Sequence, residues 1–274
     1  MYSRAYVEIT NICNMHCSFC HGHSRPPRQM TEAEYAHVLR QLSGKTQYIY
    51  HHLMGEPLIH PLLPRFIQMA SGAGFHPMLT TNGMLLERLG DTILIEGLHK
   101  INISLHSFEE DQQDDHMRYL QNVAAFAEKA SQAGVIICLR LWNNGCDEGK
   151  NDTALKVLKE SLPGQWTPNS KGYRIRDRLF LEWGDRFVWP DQNAPDNGEC
   201  LFCYGLKDHF GILSDGTVVP CCLDSDGVIA LGNVFREELS DILASPRAKA
   251  IAAGFSQRKA VEDLCRRCGY ARKF

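Results

Sequence analysis

Nowhere does this chain approach the roughly 18 consecutive apolar residues of a membrane span. Its first residues, MYSRAYVEIT, carry charge and contain no apolar signal core. The expectation is a cytoplasmic protein with no membrane contact. It also lacks an excess of either charge: 29 Lys and Arg stand against 32 Asp and Glu, a formal net charge of −3. That near-balance disfavours nucleic acid or an anionic membrane as partner. The one basic run, RRCGYARKF at 266–274, reads as a solvated tail. Internal repeats and low-complexity tracts are missing too. At 274 residues, 44% hydrophobic and 22% charged, what remains is an ordinary globular chain with ample core material.

Cysteine is not scarce. There are 11, at 13, 17, 20, 138, 146, 200, 203, 221, 222, 265 and 268. An odd number without an export signal argues against a disulfide framework, because a reducing compartment keeps thiols free. Cys13, Cys17 and Cys20 form C-x3-C-x2-C in CNMHCSFC. Three uses are open: a disulfide staple, a zinc site completed by His16, His21 or His23, or an iron–sulfur cluster with one iron unligated by protein. Cys138 reads as a small buried hydrophobe and Cys146 as a loop thiol.

Short apolar runs rich in β-branched and aromatic residues predict strands at 5–10, 47–53, 76–81, 101–106, 135–142 and 178–183. Helical patterns lie between them. One, at 31–43, opens on a Thr31-x-x-Glu34 capping box; another, at 110–134, ends on Gly134. Alternating strands and helices imply a parallel α/β sheet with ligands at the carboxyl ends of its strands. Six such units predict a partial (β/α)6 TIM-like barrel over 1–188. The loop-rich WPDQNAPDNGEC, 189–200, opens a small C-terminal extension, 189–274, holding six cysteines and a hairpin around Asp215-Gly216. So short a tail gains order from metal.

The CNMHCSFC loop, with Phe19 just before its third cysteine, resembles that of the radical S-adenosylmethionine (SAM) enzymes. HLMGEP (52–57), LTTNG (79–83) and ISLHS (103–107) follow in the family's order on successive strands. The resemblance implies a [4Fe-4S] cluster on Cys13, Cys17 and Cys20 whose open iron chelates SAM. It implies that Gly55 admits backbone close to the ligand and Glu56 accepts from the SAM ammonium. Ser104 and Arg140 would bind its carboxylate or ribose, and Phe19 would lie beside the adenine. Asn82 is expected to cap a turn. The electron donor implied is a flavodoxin or ferredoxin.

The tail resembles SPASM/Twitch extensions, with one auxiliary [4Fe-4S] cluster on Cys203, Cys221, Cys265 and Cys268. Cys200 and Cys222 remain alternatives to Cys203 and Cys221, and paired C-x2-C motifs at 200/203 and 265/268 also suit zinc. A full SPASM pattern would continue to a further cysteine at position 274, which is Phe274, so the shorter Twitch type is expected. The function implied is reductive SAM cleavage followed by hydrogen abstraction, for oxidation or rearrangement of a small molecule. The strand pattern starts at residue 5, leaving no preceding domain to hold a precursor peptide, which lowers peptide modification as the alternative. RNA modification and a purely metal-binding module are the others. His51, His52, His106, Tyr50 and Glu182 are candidate substrate or proton-transfer groups.

Overall fold

Eleven strands form one sheet, in the order β11-β10-β9-β1-β2-β3-β4-β5-β8-β7-β6, in a computed structural model that describes residues 1–110, 116–147 and 149–273. The elements are β1 (Arg4–Val7), α1 (Glu32–Leu42), β2 (Tyr48–Tyr50), α2 (Leu63–Gly72), β3 (His76–Thr81), α3 (Leu86–Ile93), β4 (Lys100–Ser104), α4 (His116–Gln132), β5 (Ile136–Asn144) and α5 (Lys150–Ser161). Then follow β6 (Thr167–Asn169), β7 (Gly172–Arg176), β8 (Leu179–Asp185), β9 (His209–Ile212), β10 (Thr217–Val219), β11 (Gly232–Asn233), α6 (Leu239–Leu243), α7 (Pro246–Ser256) and α8 (Asp263–Arg266). Among the described residues no helix is long and apolar enough to cross a membrane.

The six expected strands are all present and parallel, as β1, β2, β3, β4, β5 and β8. The sheet is mixed α/β and open at both ends, a partial barrel. Helix α1 begins as its capping box requires: Glu34 N–H donates to Thr31 Oγ1 at 3.2 Å and Thr31 N–H to Glu34 Oε2 at 2.8 Å. The expected helix at 110–134 is seen from His116; residues 111–115, like Phe274, lie outside the described residues. Two additions were not foreseen. The hairpin β6–β7 continues the sheet antiparallel beyond β8. At the other edge β9 pairs parallel with β1, Ala5 opposite Phe210, so the tail's hairpin extends the barrel's own sheet.

Side chains alternate across this sheet. Val7, Ile49, Leu79, Ile101, Leu139 and Leu181 are buried outward beneath the helices. The inner face mixes aromatic, apolar and polar side chains in tiers: Tyr6, Tyr50 and Met78 in register, then Thr80, Asn102, Cys138 and Phe180, then Ser104, Arg140 and Glu182. The apolar face holds the fold together and leaves the inner one for chemistry.

Alternation also corrects one candidate. His51 points outward, fully buried, where Tyr35 of α1 donates to its Nε2 at 2.5 Å and its Nδ1 donates to Met78 O at 3.3 Å. It is a satisfied core histidine. Burial lowers its pKa to about 4. A depressed folded pKa means the unfolded chain binds the proton first, so stability is complete above about 6.5 and falls as pH drops toward 4. At pH 5.5 this one group is expected to cost on the order of 1 kcal/mol. His51→Gln should therefore flatten the acid limb of a Tm-against-pH curve; an unchanged slope would refute that origin.

Candidate functional site

Three loops meet at the carboxyl ends of β1, β2 and β3. The first, after β1, carries the cysteines, turned at Cys17–Cys20 by a 3.0 Å bond from Cys20 N–H to Cys17 O. Cys13 and Cys20 are exposed and Cys17 half-buried, and none of the three is in a disulfide. Cys17 Sγ lies 3.9 Å from Ser107 O, beyond β4. His23 Nε2 donates to Asn11 O at 2.8 Å, and His21 stacks on Trp189.

The second loop presses on the first. Gly55 has φ +75°, and a Cβ there would stand 2.4 Å from Thr10 O and 2.8 Å from Asn11 C. Its close approach is therefore to the backbone that leads into Cys13. Glu56 N–H donates to Ile12 O at 2.8 Å. The Glu56 carboxylate is buried and caps the short 3-10 turn Pro57–Ile59, accepting from Leu58 N–H at 3.0 Å. Its other oxygen accepts from Asn82 N–H at 2.8 Å, and the Thr81 hydroxyl bonds it as well. Burial outweighs these bonds and lifts its pKa to about 7. A cation placed beside it would draw the carboxylate back to its charged form.

The third loop completes the joint. Asn82 Oδ1 accepts from Met84 N–H at 3.0 Å, the expected turn cap. Its Nδ2 also reaches Asn14 Oδ1 at 2.9 Å and Cys13 Sγ at 4.0 Å, a bridge to the cysteine loop that sequence did not announce. Glu56 thus braces LTTNG, which in turn braces the cysteines.

Ser104 and Arg140 stand side by side on β4 and β5, with Glu182 next along. The Arg140 guanidinium lies over the Trp142 ring at 4.5 Å, and Glu182 Oε2 is 4.0 Å from its Nε. That Nε is buried without a hydrogen-bond partner, as is Nδ1 of His52 and Oδ1 of the fully buried Asn102. Burial, with the Arg140 charge adding, lowers the His52 pKa to about 3; His106 falls to about 4 for the same first reason. Both rings are neutral at ordinary pH. Phe19 packs against His106 at 4.9 Å and lies under Arg186 at 5.4 Å. Deeper in, Tyr6 stacks on Tyr50 at 5.1 Å, with His52 edge-on to both.

A second set of thiols forms behind the hairpin β9–β10. Burial raises the pKa of Cys203, Cys221, Cys265 and Cys268. Neighbouring thiols add to it: Cys268 for Cys203, Cys222 and then Cys203 and Cys265 for Cys221, and Cys203 and Cys268 for Cys265. Cys200 stays exposed, bridged to Lys259. Cys222 turns into the lumen, hydrogen-bonded to Tyr6, with its thiol pushed up to about 11 by burial.

Among the described residues no group of three or more His, Cys, Asp or Glu side chains is gathered to hold a single metal ion. Two sets of all-sulfur donors suit four-iron cubanes, whose thiolates sit on different corners. For SAM, the fit rests on Arg140's orphaned Nε and on lone pairs left on the Glu56 oxygens.

Residues 7–143 match the Radical SAM superfamily, and residues 203–269 match SPASM, an iron–sulfur cluster-binding domain. The GTP 3′,8-cyclase of Microcystis aeruginosa is 30% identical, the match covering 85% of each chain. The probable GTP 3′,8-cyclase of Methanothermobacter marburgensis is 29% identical over 81% of this chain and 85% of that protein. Among solved structures, BtrN in complex with AdoMet and 2-DOIA superposes with a TM-score of 0.60 at 19% identity, covering 98% of this chain and 93% of that one. That likeness is one of fold.

Proposed function

Given that the chain belongs to the radical SAM superfamily and carries a SPASM iron–sulfur domain, we propose that it abstracts hydrogen from a polar small molecule held inside the barrel. Cys13, Cys17 and Cys20 would hold a [4Fe-4S] cluster with an open corner for SAM. When bound, that cluster supplies the electron that splits SAM into methionine and the 5′-deoxyadenosyl radical. Cys203, Cys221, Cys265 and Cys268 would hold one auxiliary [4Fe-4S] cluster, with no corner left for substrate. We assign residues 1–188 to SAM chemistry and 189–274 to the auxiliary cluster, with flavodoxin or ferredoxin as donor.

The observation that carries the reading is the three-loop joint, in which Gly55, Glu56 and Asn82 all bear on the Cys13 loop. Glu56 would take the SAM ammonium, and Ser104 with Arg140 its carboxylate, one strand apart. Phe19 would cover the adenine beside His106. Below them the lumen offers aromatic faces at Tyr6 and Tyr50 and unpaired polar atoms on His52 and Asn102. Aromatic walls with few, placed polar groups suit a hydroxylated ring. The electron left after hydrogen and proton removal needs an acceptor, and a fully ligated auxiliary cluster serves as one, so the reaction favoured is a two-electron oxidation.

The cyclase relatives favour a second reading, rearrangement of a purine nucleotide. The two readings differ in the charge they ask of the lumen, since a triphosphate calls for cations beyond Arg140, which the first reading gives to the SAM carboxylate. Anaerobically reconstituted protein with dithionite and SAM should form 5′-deoxyadenosine, accelerated by ring-deuterated polyols with deuterium transfer. Acceleration by GTP alone would establish the second reading. Arg140→Lys should raise the SAM Kd about tenfold at unchanged iron, since an ammonium cannot fork onto a carboxylate; an unaltered Kd would remove Arg140 from the SAM site.

A further inference from the structure

Glu8 is fully buried at the end of β1, and Arg25 grips it with both terminal nitrogens, at 2.8 and 2.7 Å. The carboxylate also accepts from Ser214 N–H at 3.1 Å and Met54 N–H at 3.2 Å. Arg25 Nε donates to Ser225 O at 2.7 Å. One residue earlier, Ser24 donates to Asp226 Oδ1 from its N–H at 2.6 Å and from its hydroxyl at 2.9 Å. The 224–229 turn is itself held, because Asp224 accepts from Val228 N–H and Ile229 N–H, both at 2.8 Å.

The chain positions give this meaning. Arg25 lies five residues past Cys20, and Ser225 four past Cys221, while Met54 precedes Gly55. One ion pair therefore ties together the cysteine loop, the Gly-Glu loop and the auxiliary hairpin. We propose that the Glu8–Arg25 pair is a positioning strut through which the auxiliary cysteine hairpin sets the shape of the loop bearing Cys13, Cys17 and Cys20. A buried ion pair is poor evidence for stability, since well-packed apolar groups of like volume often serve as well or better. What a guanidinium fork adds is direction: it fits in one orientation, and every lone pair it leaves on Glu8 is taken by a backbone N–H. Occupying the auxiliary site stiffens 214–226, and the strut carries that order to residues 24 and 25. The inference rests on the reading that both cysteine sets hold clusters.

The test is a double-mutant cycle on full-length, anaerobically reconstituted protein. It reads the SAM Kd from the change that SAM makes in the EPR signal of the reduced cluster. Cys265→Ala with Cys268→Ala removes the auxiliary cluster, leaving about four irons. It should raise the SAM Kd about tenfold, within the usual span of coupling between sites. Glu8→Met with Arg25→Met removes both charges, avoiding a lone buried ion. It should raise the Kd similarly, and adding the cysteine changes to it should cost less than about twofold more. Arg25→Lys keeps the charge and the fold but not the fork, and should fall with the methionine pair. Independent, multiplying effects, or wild-type SAM affinity in the methionine pair, overturn the strut. A wild-type protein without any SAM-responsive signal overturns the family reading instead, a different result.

Discussion

Cys17→Ala will yield no 5′-deoxyadenosine above a dithionite-and-SAM blank, and its iron content will fall from about eight to about four per chain. Cys17 is the central residue of the set, on the turn closed by Cys20 N–H and 3.9 Å from Ser107 O. Loss of a group that merely orients a metal ligand already costs ~10–100-fold; losing the ligand itself leaves two thiolates on a site needing three. The four thiols at 203, 221, 265 and 268 are untouched, so the remaining irons should give the spectrum of a fully ligated cluster that SAM does not perturb. Retention of a SAM-responsive signal would move the catalytic cluster elsewhere. Complete loss of iron would show instead that the auxiliary site does not hold its cluster without the first.

Gly55→Ala will be the most damaging single change outside the cysteines. The residue sits at φ +75°, and its added Cβ would meet Thr10 O at 2.4 Å. Left-handed backbone costs a non-glycine residue about 1–2 kcal/mol, and overpacking adds roughly 1–3 kcal/mol when the neighbour is backbone that cannot step aside. The expected total is about 2–5 kcal/mol, a fall in Tm on the order of 10 °C for a chain of this size. Gly44 supplies the comparison: φ +72° with nothing within 4 Å of the added methyl. Gly44→Ala should show the backbone cost alone. Because Thr10 and Asn11 lead into Cys13, Gly55→Ala should also lose catalytic-site iron during gel filtration. If the two variants melt alike and keep equal iron, the pressure of one loop on the other is not what shapes the site.

Much of the barrel was legible because local rules and tertiary needs agree there. Strand β3 runs over 76–81 as expected, its apolar residues bounded by turn formers, and α1 starts at its capping box. The hairpin β6–β7 was missed for the converse reason. Thr167–Asn169 is exposed throughout and contains Pro168, so no buried face marks it as strand. His51 was grouped with His52 because both are imidazoles near a strand end. The two-residue period of the sheet turns one toward Tyr35 and the other toward Tyr6 and Tyr50. Glu56 was read as a ligand group alone, whereas its carboxylate also ties two loops through Leu58 and Asn82.

From the chain of letters come the alternation of strands and helices, the two cysteine sets and the glycine beside the glutamate, because spacing and residue type are local properties. The meeting of Cys222 with Tyr6 is not local. Nor is the meeting of Glu8 with Arg25 and Ser214, or the addition of β9 to β1. Strand register and side-chain direction decide these, and both are set only when segments some two hundred residues apart pack on one sheet.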